Sequence, residues 1–186
     1  MSAGGANPRD LELARKIAPT VLVLMGVSGS GKSTVARELQ RILGWPFQEG
    51  DDLHPAANVE KMHSGRPLDD GDRRPWLEAI AAWIDARLQA HEPGIITCSN
   101  LKHDYRRITI GDRQGVTLVY LKGDEAMIRD RVALRSHHFM PPSLLASQFE
   151  TLEQPGPDEH PLTVVVRQSV AETVSDVLAR LAETRR

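Results

Sequence analysis

The 186-residue chain is poor in several things, and each shortage excludes something. It has one cysteine, Cys98, so it can form neither an internal disulfide nor a zinc site built on thiolate pairs. Such sparing use of cysteine fits a reducing, cytoplasmic setting. Three Trp, two Tyr and three Phe make up an aromatic content of 4%, which argues against a large aromatic cofactor box. The most apolar stretch, Val21 to Val27, gives way at once to Ser28 and Gly29. A membrane-spanning helix needs roughly 20 apolar residues, so none is expected. The opening MSAGGANPRD has neither the basic start nor the apolar run of a secretory leader, so no leader is expected. An excess of one charge is missing too. Lys+Arg number 23 and Asp+Glu 25, a formal net charge of −2, which argues against bulk affinity for nucleic acid or an anionic membrane.

What remains is ordinary for a globular protein: 40% hydrophobic and 26% charged residues, with no repeat and no interdomain linker. The expected layout is an N-terminal tail with one short helix (Asp10–Ala18) over 1–19, then a single domain over 20–186. Apolar, β-branched runs predict strands at Thr20–Met25, Pro46–Glu49, Gly94–Cys98, Val116–Leu121 and Leu162–Val166. Helical spacing predicts Lys32–Leu43, Pro55–Met62, Asp104–Ile110, Glu125–Arg135 and Ser143–Leu152. Ser64–Asp72 reads as a loop. Pro75 then reads as a first-turn proline ahead of a stripe formed by Trp76, Ile80, Trp83, Ile84 and Leu88. Ser169 and Glu172 form a capping box for the last helix. Strands alternating with helices predict a three-layer α/β/α fold around a mostly parallel, five-stranded sheet. In such sheets ligands bind beyond the carboxyl ends of the strands.

Gly26-Val27-Ser28-Gly29-Ser30-Gly31-Lys32-Ser33 matches G-x-x-x-x-G-K-[ST] in full, between a predicted strand and a predicted helix. Backbone N–H groups of such a glycine turn converge on phosphate oxygens, and the helix N-terminus adds partial positive charge. Lys32 would reach the β- and γ-phosphates, and the Ser33 hydroxyl would ligate Mg²⁺. The chain is therefore expected to have a P-loop NTPase fold. A GTPase is disfavoured, because the D-x-x-G and N-K-x-D look-alikes at 112–115 and 100–104 are misordered and misspaced.

Beyond the second strand, Glu49, Asp51, Asp52 and His54 gather in one loop. In extended backbone Glu49 and Asp51 share a face, suiting one to Mg²⁺ and the other to proton acceptance. The alternative is a solvated acidic turn that caps the next helix. Lys102 and Arg106, four apart, would form either an anion clamp on one helix face or a solvated basic face. Arg131 and Arg135 would be either mobile arginines over the transferring phosphoryl group or partners of Asp130 and Glu125. Cys98 reads as a core residue.

The assembled pattern resembles the gluconokinase family. The residues that carry the resemblance are GVSGSGKST at 26–34, GDDLHP at 50–55, Asn58, Lys61-Met62, Gly65, Pro67-Leu68, Asp72-Arg73 and Pro75-Trp76-Leu77. CSNLK and YR within 98–106 and HHFMPPSLLASQFETLEQP at 137–155 extend it. The resemblance implies the shikimate-kinase-like branch of P-loop kinases, with a helical lid at about 131–150 and often a homodimer. It implies ATP-dependent phosphorylation of D-gluconate at its 6-hydroxyl, with Mg²⁺, giving 6-phospho-D-gluconate and ADP. On that basis Gly26, Val27, Ser28, Gly29, Ser30, Gly31, Lys32, Ser33 and Thr34 would hold ATP. Glu49 with Ser33 would serve the metal, Asp51 the acceptor hydroxyl, and Arg131 and Arg135 the lid. Asp51, His54, Lys102 and Arg106 would surround gluconate. Asn100 stands where the family commonly has alanine, and Glu49 where aspartate is frequent. The alternatives are a related kinase with another acceptor, or a nucleotide-binding regulator without turnover.

Overall fold

A computed structural model of the chain describes residues 7–133 and 142–184. Strand β1 (Val21–Met25) is shielded from water along its whole length. Leu22 and Leu24 face one core cluster, while Val21, Val23 and Met25 face another, because successive strand side chains point to opposite sides. Around β1 the sheet runs β2 (Phe47–Gln48), β3 (Gly94–Thr97), β1, β4 (Val116–Lys122), β5 (Leu162–Val165). Every pairing is parallel, as the sequence predicts. The fold is therefore α/β with a five-stranded parallel sheet.

One face of the sheet is covered by α2 (Lys32–Leu43) and α8 (Val170–Glu183) through Val35, Leu39, Val174, Val177 and Leu178. The other is covered by α4 (Asp70–Gln89) and α5 (His103–Thr109) through Trp76, Leu77, Ile80, Ile84 and Tyr105. Helix α3 (Ala56–His63) links the acidic turn to α4. Helices α6 (Glu125–Ala133) and α7 (Pro142–Thr151) meet over the end of β1, where Val27, Leu101, Ile128, Val132 and Leu145 form a third cluster. The capping box of Ser169 and Glu172 at α8 is present.

Two expectations are corrected. Helix α1 spans Pro8–Ala14 rather than Asp10–Ala18, because Asn7 accepts from the Arg9 N–H and Pro8 takes the tolerated N1 place. Leu13 and Ile17 pack on the α2/α8 side of the core, so the described part of the N-terminal segment is docked. Helix α4 begins at Asp70, not at Pro75. Asp69 and Asp72 form a reciprocal capping box, which starts the helix early and puts Pro75 inside it. Pro75 cannot donate to the Gly71 carbonyl, but Gly71 is exposed and water can serve that oxygen.

The chain leaving β2 enters a 3-10 turn at Gly50–Leu53 that is fastened on both sides. The Gly50 N–H donates to Thr97 Oγ1 at 3.1 Å, and the Trp76 indole donates to the Gly50 carbonyl at 2.7 Å. A Cβ at Gly50 would run into the Thr97 carbonyl oxygen. Gly50→Ala is therefore expected to cost about 3 kcal/mol or more of stability, read as a lower denaturant midpoint.

Candidate active site

The phosphate loop begins where β1 ends. Gly26, Gly29 and Gly31 all have positive φ, at 147°, 80° and 90°. At Gly31, which caps α2, the requirement is conformational, since nothing crowds a Cβ there. At Gly29 it is also steric, because a Cβ would lie 2.6 Å from a Val132 methyl of α6. Lys32 is the first residue of α2, and its ammonium donates to the Gly26 and Val27 carbonyls at 2.9 and 3.0 Å. Burial pushes the Lys32 pKa below its ordinary value, against the opposing charges of Asp51 and Glu49. Ser33 and Thr34 follow in the first turn of α2.

The acidic turn reaches this loop indirectly. Strand β3 lies between β1 and β2, so the turn extends across the end of β3. Thr97, the last residue of β3, donates its hydroxyl to Glu49 Oε1 while accepting from the Gly50 N–H. Asp51 is exposed, and its charge is the largest favourable influence on Lys32. His54 stacks on Trp76 with ring centroids 4.2 Å apart and 12° between planes. Burial lowers the His54 pKa, with Asp51 opposing and Arg73 reinforcing the shift. Asn58 is buried behind it and donates to the Asp72 carbonyl at 2.7 Å.

The basic candidates fare differently. Arg106 is 2% exposed and pairs with Glu159, while its remaining donors serve the carbonyls of Asn100, Leu101 and Glu153. Its donors are spent inside the fold, so no clamp with Lys102 forms. Lys102 is not helical but caps α5 in extended conformation, and it pairs with Asp70 at 2.8 Å. Arg131 donates to the carbonyls of Arg167 and Gln168, tying α6 to the loop after β5. It meets neither Asp130 nor Glu125, and Glu125 pairs instead with Arg129. Arg135 lies outside the described residues, as does 134–141 of the expected lid. Cys98 is buried as expected, with its thiol pushed up to about 12 by burial.

Sequence reasoning missed Arg73. It is half-buried near the start of α4, and its charge is felt at His54, Cys98, Tyr105 and Asp70. Among the described residues its side chain forms no ion pair. It stands in the sequence beside Asp72, and only the capping box that begins α4 at Asp70 reveals which way it is carried. A surface depression of about 480 Å³ is lined by Pro19, Thr20, Arg87 and Gly115 at the opposite, amino-terminal edge of the sheet. That edge holds none of the chemistry, since parallel sheets bind ligands at the other.

The AAA domain family matches residues 21–155. A gluconokinase of Gluconobacter oxydans is 47% identical over 162 residues, covering 87% of this chain and 90% of the relative. The chain belongs to the gluconokinase family. The crystal structure of a gluconokinase from Sinorhizobium meliloti superposes on this family member with a TM-score of 0.80 at 44% identity, covering 89% and 93% of the two chains. A shikimate kinase from Bacteroides thetaiotaomicron, with a TM-score of 0.60 at 14% identity over 90% and 99%, shares the fold. The protein is thus a P-loop kinase by family and by fold.

In this gluconokinase relative, Arg106 and Glu159 form a structural pair. Burial raises the Glu159 pKa, but the hydrogen bonds and charge of Arg106 and the Gly156 N–H outweigh it and hold the carboxyl below its usual range. A depressed carboxylate pKa adds stability above the ordinary Glu range, and that stability is lost as pH falls through the folded value. Glu159→Gln, which strands a buried guanidinium, should cost about 3 kcal/mol in chemical denaturation at pH 7. The gap from the unaltered protein should narrow as pH falls below about 4.

Proposed function

We propose that the protein transfers the γ-phosphoryl group of ATP to the 6-hydroxyl of D-gluconate, giving 6-phospho-D-gluconate and ADP. The observation that carries this reading is the convergence of the phosphate loop and the acidic turn on Lys32, whose ammonium feels both Asp51 and Glu49. Asp51 accepts the proton from O6, which then attacks the γ-phosphorus as the bond to the β,γ-bridging oxygen breaks. The loop from Gly26 to Thr34 binds the nucleotide, with Lys32 balancing charge on the phosphates.

Ser33 and Glu49 would hold Mg²⁺, which when bound neutralises charge on the phosphate oxygens. The donor set fits that ion. Thr97 engages Glu49 Oε1 alone, and no group of three or more His, Cys, Asp or Glu is found among the described residues. Mg²⁺ characteristically takes one or two carboxylates and completes its shell with phosphate and water.

For the acceptor, His54 on its Trp76 platform presents a flat polar ring to hydroxyl groups, and Arg73 supplies the cation for the carboxylate. Arg73 takes the role that the sequence suggested for Arg106, whose donors are already engaged. Lys102 stands at the rim through its pair with Asp70. The proposal carries with it a cytoplasmic homodimer. An acceptor panel separates this reading from a kinase with another acceptor, and transfer to none of its members would point to a nucleotide-binding regulator.

Incubation with ATP, Mg²⁺ and gluconate should release ADP in step with 6-phosphogluconate, and no ADP above background would refute the proposal. Asp51→Asn should lower kcat at least about a hundredfold while leaving ATP affinity within about twofold, since it removes the proton acceptor and spares the phosphate loop. Arg73→Met should raise KM for gluconate about tenfold or more with KM for ATP unchanged, the loss of one charge-assisted contact.

A further inference from the structure

Helix α7 carries Leu145, Gln148 and Phe149 at i, i+3 and i+4, so the three share one face, and Leu152 follows directly after the helix ends. Leu145, Phe149 and Leu152 join Val27, Leu101, Ile128 and Val132 in the cluster over the phosphate loop. Gln148 is the polar member of that face. Its side chain accepts a hydrogen bond from the Ser28 N–H at 2.7 Å. A backbone N–H can only donate, so the facing atom is Oε1 and not the amide nitrogen.

The Ser28 N–H belongs to the same peptide group as the Val27 carbonyl, and that carbonyl accepts from the Lys32 ammonium at 3.0 Å. A peptide unit is planar and rigid, so turning its N–H turns its C=O by the same angle. Gln148 holds one edge of this plane, and Lys32 together with the Ser30 N–H, which donates to the Val27 carbonyl at 3.2 Å, holds the other. Chains of hydrogen bonds through one amide also polarise each other, so each bond strengthens its neighbour. Apolar contacts hold the flanking residues: Val27 sits in the third cluster, and Gly29 lies against Val132.

We propose that Gln148 is a positioning residue for phosphoryl transfer, which sets the Val27–Ser28 peptide plane and through it the place of the Lys32 ammonium. The proposal rests on the kinase reading above, in which Lys32 serves the transferred phosphoryl group. Displacing a charge by about 1 Å at a reacting centre can cost a hundredfold, so a residue that never touches the substrate can govern kcat.

The test compares Gln148→Leu, which keeps the apolar face and removes the acceptor, with Gln148→Glu, which keeps an acceptor. Gln148→Ala serves if the leucine variant does not fold. Hydrogen exchange at the Ser28 amide should rise about tenfold in the leucine variant, as expected for loss of one hydrogen bond, and stay at the starting level in the glutamate variant. In the leucine variant kcat should fall about tenfold, with KM for gluconate within about twofold and an unchanged melting temperature. Unaltered Ser28 exchange, raised exchange with unaltered kcat, or a loss confined to KM for gluconate would each overturn the proposal. Failure of the unaltered protein to phosphorylate gluconate would instead count against the kinase reading, and the exchange measurement would still decide the Gln148 contact.

Discussion

Strand β1 has no contact with water, and it is hydrogen-bonded on both edges, to β3 and β4. A strand in that position has no room for a charged or polar side chain, so all chemistry is pushed to where it ends. The chain must leave the sheet there through a turn that fits beneath α6, and Gly29 meets that need with a positive φ and no side chain. The same turn runs straight into the head of α2, where Gly31 is the N-cap and Lys32 the first helical residue. Phosphate binding and core packing are thus two results of one constraint, which explains why the most apolar stretch of the sequence leads directly into the phosphate loop.

The acidic side of the site depends on a different device. Strand β2 is not a neighbour of β1, so its carboxylates must be held across the end of β3. The Thr97 hydroxyl does this by bonding Gly50 and Glu49 together, while the Trp76 indole fixes the Gly50 carbonyl from α4. Trp76 also supports His54, so one buried aromatic holds both the Gly50 carbonyl and the imidazole ring. Through these contacts α4, on the covering layer, is coupled to both the turn and the imidazole.

Near-neutral net charge conceals a division of labour among the ionic groups. Arg106 with Glu159, Arg113 with Asp85, Lys61 with Asp72 and Lys102 with Asp70 neutralise one another within the fold. Asp51 and Arg73 form no such ion pair among the described residues, Asp51 being exposed and Arg73 half-buried. Sequence spacing cannot make this distinction. Lys102 and Arg106 look equivalent at four residues apart, yet one caps α5 at the surface and the other is buried against a 3-10 turn more than fifty residues away. Arg131 was legible as a basic residue ending a helix, but its partners are carbonyls contributed by the loop after β5. In each case the deciding partner is remote in the chain. Local patterns did well where the physics is local: continuous apolar runs for the strands, the glycine spacing for the loop, the Ser169–Glu172 box for α8. They failed at Pro75, where a capping box that begins six residues upstream, at Asp69, outweighed the preference of proline for a first turn.

The sequence by itself determined the alternation of strands and helices, the phosphate loop with Lys32 at the head of α2, and the presence of carboxylates after the second strand. Those features follow from side-chain size, apolar periodicity and glycine conformation within a few residues, and need no partner elsewhere. Only the tertiary structure decided which charges are consumed in ion pairs within the fold and which are left out of them. It also decided that Thr97 fastens the acidic turn and that Gln148 from α7 meets the peptide whose other edge holds Lys32. Hydrogen bonds and ion pairs act over about 3 Å, and contacts that short between residues 48 or 120 apart exist only once the sheet has brought them together.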